Sequence, residues 1–129
     1  MSGRVVHFEI PYDDGDRAQA FYAEAFGWDL QTVPGMGYTL VSSGPVDEQG
    51  APAEPGFING GMLSRDWGPV KAPVITVGVD SIDDALTTIE RLGGKTAAPR
   101  TAVGDMGFSA YFTDPEGNIV GLWENAAPS

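Results

Sequence analysis

His7 is the only histidine of the chain, and Glu9 follows it in the run Val5-Val6-His7-Phe8-Glu9-Ile10. Residues i and i+2 of an extended strand lie on one face. An imidazole and a carboxylate on one face suit proton transfer. With further donors they suit coordination of Zn, Mn, Ni or Fe. A second carboxylate in strand pattern, Glu124, stands at the far end of the chain. There is no cysteine, which excludes disulfides and thiolate metal sites. Asp13-Asp14 with Asp16 lacks the spacing and terminal glutamate of a calcium loop and reads as a helix cap. Gly60-Gly61 has no lysine or helix start in register, so it is no phosphate loop.

The elements that must position these groups follow from periodicity. Val6, Phe8 and Ile10 alternate with Val5, His7 and Glu9, a strand with one apolar and one mixed face. Asp13 or Asp14 caps a helix whose stripe of Ala18, Phe21, Tyr22, Ala25 and Phe26 has the spacing of a core-facing side. Gly27 ends it. Strands are expected over Trp28 to Val33, Tyr38 to Ser42 and Phe57 to Leu63, with a loop from Gly44 to Gly56. Val74 to Ser81 then repeats His7 to Asp14 without a gap, and the same order returns. Pro73 to Val79 is a strand, and a helix capped by Ser81 and ended by Gly93-Gly94 carries Ile82, Ala85, Leu86, Ile89 and Leu92. Strands follow over Lys95 to Ala98, Phe108 to Thr113 and Asn118 to Glu124. Pro99 to Gly107 is expected to be a loop, with Gly104-Asp105-Met106-Gly107 as a lid over a cleft.

Each copy is strand, helix, then three strands. This predicts an α+β chain: one domain of two βαβββ modules, about 4–64 and 73–125, with a connector over 65–72. Curled mixed sheets enclose a cleft and the helices lie outside. Parity aims Val5, His7 and Glu9 into the cleft from the first copy and Val74, Thr76 and Gly78 from the second. In the last strand Leu122 and Glu124 share the cleft side, and Trp123 faces the helix layer. Tyr38, Met62 and Tyr111 are expected on the cleft wall.

In this arrangement the chain resembles the vicinal oxygen chelate superfamily, which groups glyoxalase I, bleomycin-resistance proteins and extradiol dioxygenases. His7-Phe8-Glu9-Ile10, Phe21-Tyr22 to Phe26-Gly27-Trp28, and Asp114-Pro115-Glu116-Gly117-Asn118 to Leu122-Trp123-Glu124 carry the resemblance. It implies a divalent metal held by the first and last strands of each copy. Here that gives His7 and Glu124 as ligands, with Val74 and a fourth strand lacking imidazole or carboxylate at the other two positions. It also implies a homodimer.

Eighteen acids against seven bases give a net charge of −11 at pH 7. That excludes sequence-independent binding to nucleic acid and docking on an anionic membrane. No apolar run spans a bilayer and no signal peptide is apparent, so the expected location is cytoplasmic. Three functions remain. One is a lyase or isomerase in which Glu124 or Glu9 removes a proton beside a carbonyl while a metal or His7 stabilises the oxyanion, with Tyr38, Met62, Thr76, Tyr111 and Leu122 holding the ligand. Another is a metal-free protein that sequesters a small, cationic molecule. An accessory domain with a filled pocket is a third alternative.

Overall fold

The computed structural model describes residues 3–126. Among them are eight strands and two helices, an α+β architecture. These are β1 (Val5–Tyr12), α1 (Gly15–Phe26), β2 (Asp29–Val33), β3 (Tyr38–Ser42), β4 (Asn59–Ser64), β5 (Val74–Gly78), α2 (Ile82–Arg91), β6 (Lys95–Val103), β7 (Gly107–Thr113) and β8 (Ile119–Asn125). The described residues form two compact units, His7–Pro73 and 74–126, the second also taking in 3–6. No helix among the described residues is long and apolar enough to cross a membrane.

In the first unit the strand order is β2-β3-β4-β1. β1 and β4 run parallel, and the other neighbours antiparallel. Register puts Ile10 beside Met62 and Met62 beside Thr39, so these three share a face. α1 covers that face, since Gln19 Nε2 donates to Thr39 Oγ1 at 3.1 Å. Met62 is fully buried there. The expectation that Met62 lines a cleft is therefore corrected: its side chain is fully buried on the face it shares with Ile10 and Thr39.

Asp14 caps α1 by accepting from the Arg17 N–H, and Gly27 ends it with φ +71°. The stripe on α1 behaves otherwise than its spacing suggests. No residue of the helix is buried, and Phe21 and Phe26 are 60% and 62% exposed. Tyr22 instead stacks on Trp28 at 5.1 Å between ring centroids, and Trp28 meets Phe8 at 5.7 Å. An aromatic brace, rather than a packed stripe, ties α1 to β1.

In the second unit the order is β5-β8-β7-β6. β5 and β8 are parallel, the rest antiparallel. Gly3 and Arg4 extend this unit through backbone bonds to Gly78. Ile82 and Leu86 of α2 pack on Ala110 and Leu122, flanked by Val77, Val79, Phe108 and Phe112. Burying each large side chain in such a cluster contributes about 1.5–3 kcal/mol. Leu122 is thus core beneath α2, which corrects its assignment to the ligand. Trp123, its neighbour, takes the other face, against Gly107.

β6 runs to Val103 through the stretch expected to be a loop. Its register shifts between Thr96 and Ala98 and between Ala98 and Thr101. β6 lies at the end of its sheet, and a bulge on an edge strand accommodates Pro99, which has no N–H to give. The expected lid is the β6–β7 hairpin turn, closed by Met106 N–H to the Val103 carbonyl at 3.1 Å.

Candidate functional site

β1 presents His7 and Glu9 on the side away from Phe8 and Trp28. β4 lies next to β1, and Glu9 sits directly beside Gly61. β3 comes next, with Gly61 beside Leu40 and Leu63 beside Tyr38. Tyr38, at the start of β3, therefore shares the face of His7 and Glu9. Its ring crosses over Gly61, where any Cβ would collide with the phenol. The crossing brings Tyr38 Oη to 2.8 Å from His7 Nε2 and lets it donate to Glu9 Oε2 at 2.8 Å.

One phenol thus joins the imidazole and the carboxylate. Glu9 is only 6% exposed. A buried carboxylate is costly unless hydrogen-bonded, and the phenol donor offsets part of that cost. Burial also holds His7 below its ordinary pKa, and the charge of Glu9 opposes the shift without overcoming it. His7 is therefore neutral at pH 7. A neutral imidazole coupled to a buried carboxylate can accept and pass a proton.

Glu124 has a different environment. Its Oε1 accepts from the Ile82 N–H at 2.8 Å, at the positive end of α2. Arg100 donates to Oε1 at 3.3 Å and to Oε2 at 3.0 Å, and its guanidinium lies 3.5 Å over the Phe108 ring. Arg100, and after it the Ile82 N–H, hold the Glu124 carboxyl below its usual range. Glu124 lies on the α2 side of β8 with Leu122, so the parity reading of this strand is reversed. On the opposite face of the second unit are Thr76 and Tyr111, both beside Gly121 in register. Thr76 is buried, its Oγ1 over Gly121.

The residues present do not fit the implied metal centre. Tyr38 occupies His7 Nε2, and Arg100 and α2 occupy the Glu124 oxygens. No group of three His, Cys, Asp or Glu side chains that could hold a metal ion occurs among the described residues. Three protein ligands are the usual catalytic minimum.

A separate open depression of about 560 Å³ lies beside the start of α1, lined among others by Tyr12, Asp13, Asp14, Asp16, Gln19 and Thr39. Asp13 pairs there with Arg65 at 3.1 Å. Sequence reasoning missed the bridging role of Tyr38, the passage provided by Gly61, and Arg100. The Gly60-Gly61 pair inside a strand pattern was the available signal, since glycine in a strand marks close approach of another group.

Comparison with known proteins bears on this arrangement. Residues 4–44 match a family described as bleomycin resistance protein-like N-terminal. The glyoxylase-named protein CFP32 of Mycobacterium tuberculosis is 32% identical over 121 residues, covering 90% of this chain and 43% of the relative. The chain thus spans less than half the length of that relative. Methylmalonyl-CoA epimerase of Streptomyces coelicolor superposes with a TM-score of 0.64 at 18% identity, covering 98% of this chain and 100% of the other. The chain is thus similar to glyoxylase-named and bleomycin-resistance-like proteins, and its fold is that of the epimerase. A glyoxylase-like domain-containing protein of Didymella fabae, 27% identical over 120 residues, covers 92% of this chain and 91% of its own length. The bleomycin-resistance-like match ends at residue 44. It takes in His7, Glu9 and Tyr38 and stops short of Gly61.

Proposed function

We propose that the chain is a glyoxalase-like isomerase or lyase that removes a proton next to the carbonyl of a small molecule, with His7, Glu9 and Tyr38 as its reactive group. The observation that carries this reading is the single phenol bonded to both the imidazole and the buried carboxylate. The fold shared with an epimerase is compatible with it. Glu9 supplies the negative charge that makes proton uptake favourable, and the phenol supplies a donor beside it. Thr76 and Tyr111, on the face of the second unit opposite α2, are assigned to ligand contact. The exposed aromatic side of α1 supports pairing of two copies, which light scattering would detect.

The test is solvent exchange. The protein is incubated in heavy water with a panel of 2-substituted carbonyl compounds, methylmalonyl-CoA among them, and deuterium at the carbon beside the carbonyl is followed by NMR. Exchange on at least one compound, slowed about 100-fold or more in Glu9→Gln, is expected for a lost proton acceptor. Absence of exchange across the panel, or an unaffected Glu9→Gln variant, overturns the reading.

The acid-lined depression beside α1, within the bleomycin-resistance-like stretch, favours a second reading. There the chain sequesters a cationic molecule without reaction. Calorimetric titration with bleomycin separates the two, because saturable binding without any proton exchange would support sequestration.

A further inference from the structure

The proton inventory of the His7–Tyr38–Glu9 chain fixes more than its members. A carboxylate can only accept, so the hydrogen bond at 2.8 Å between Tyr38 Oη and Glu9 Oε2 uses the one phenolic proton. The same oxygen lies 2.8 Å from His7 Nε2 and has only a lone pair left to offer there. The proton of that second bond must therefore be on Nε2. A neutral imidazole carries one N–H, which leaves Nδ1 as a bare lone pair. Among the described residues none donates to Nδ1.

We infer that Tyr38 is a positioning residue that locks His7 in the Nε2–H tautomer, making His7 Nδ1 the atom that meets the ligand and Glu9 the terminal acceptor of the proton. The inference deepens the reaction proposed above and rests on it for its catalytic meaning. The ligand it selects presents an acidic C–H or a hydroxyl to Nδ1. In the proton-abstraction step the C–H bond breaks, its electron pair passes to the carbonyl oxygen, and Nδ1–H forms. The Nε2 proton moves to Tyr38 Oη as the phenolic proton moves to Glu9. The negative charge has then left Glu9 for the substrate oxygen. His7 has exchanged one neutral tautomer for the other and never becomes cationic, in keeping with its burial. Gly61 belongs to the device, because any side chain there evicts the phenol.

Because His7 is the only histidine, isotope-edited NMR of the imidazole nitrogens gives one pair of ring signals. In the ligand-free protein Nε2 is expected to show the protonated, slowly exchanging signature and Nδ1 that of a free lone pair. Tyr38→Phe should move both signals toward values averaged over two tautomers. Gly61→Ala, which keeps every proton-carrying group but displaces the phenol, should do the same. A wild-type spectrum with the proton on Nδ1, or one unaltered by Tyr38→Phe, overturns the inference, and the wild-type spectrum decides even if a variant does not fold. No substrate enters this experiment, so it fails or succeeds separately from the exchange assay.

Discussion

His7 is held neutral by burial, and this ties stability to pH in a definite window. The folded protein binds its proton less readily than the unfolded chain, whose histidine titrates near about 6.5. Below that value the unfolded state gains the proton first, so stability falls as pH drops through the window. Urea midpoints measured at about pH 7.5 and about pH 5.5 should differ less in His7→Gln than in the wild type. Glu124 and Asp114 are shifted the same way by Arg100 and Asn118 respectively. Being carboxylates, they lose their contribution only at more acidic pH, which keeps the histidine window separate. At the neighbouring position, Gly61→Ala must push the Tyr38 ring aside. Overpacking of this kind costs about 1–3 kcal/mol, readable by chemical denaturation.

α1 and α2 invite opposite experiments. Ile82 of α2 is fully buried in the second unit's core, so Ile82→Ala should cost about 2–5 kcal/mol. Phe21 of α1 stands mostly in solvent, and Phe21→Ser should stay within about 0.5 kcal/mol in the same denaturation assay. Removing the α1 cap by Asp14→Ala should cost about 1 kcal/mol, seen as lost helicity. The contrast also shows what the residues alone could tell. Asp14, Gly27 and Ser81 mark their helix ends because a cap answers to local backbone geometry. The alternation in β1 correctly separates His7 and Glu9 from Phe8. β8 misleads because Leu122 and Trp123 are both apolar, so alternation divides its faces without saying which one a helix covers. The apolar side of α1 misleads in a related way: periodicity finds such a side but not what packs on it. The bonds of Tyr38 to His7 and Glu9 escape because these partners lie across two strands, and only the register of β4 brings Gly61 beneath its ring.

At the scale of the whole molecule, charge dominates. A net −11 on 129 residues repels itself in the compact state more than in the expanded one. Raising sodium chloride from about 0.02 M to about 0.3 M shortens the screening length several-fold and should raise the thermal midpoint. A midpoint that falls or stays constant over this range would mean that the acids are neutralised by local partners.

The chain changes allegiance as it enters β1: Arg4, just before the strand, bonds backbone-to-backbone with Gly78, whereas His7 onward pairs with β4. The two modules, contiguous as text, are consequently not severable by one cut. A fragment starting at Val74 would strand the Gly78 amide and carbonyl in water and bare a ribbon margin inclined to recruit another chain. Liberating the second module as a well-behaved polypeptide requires carrying the first few amino acids along with it, for instance by splicing them to its far terminus.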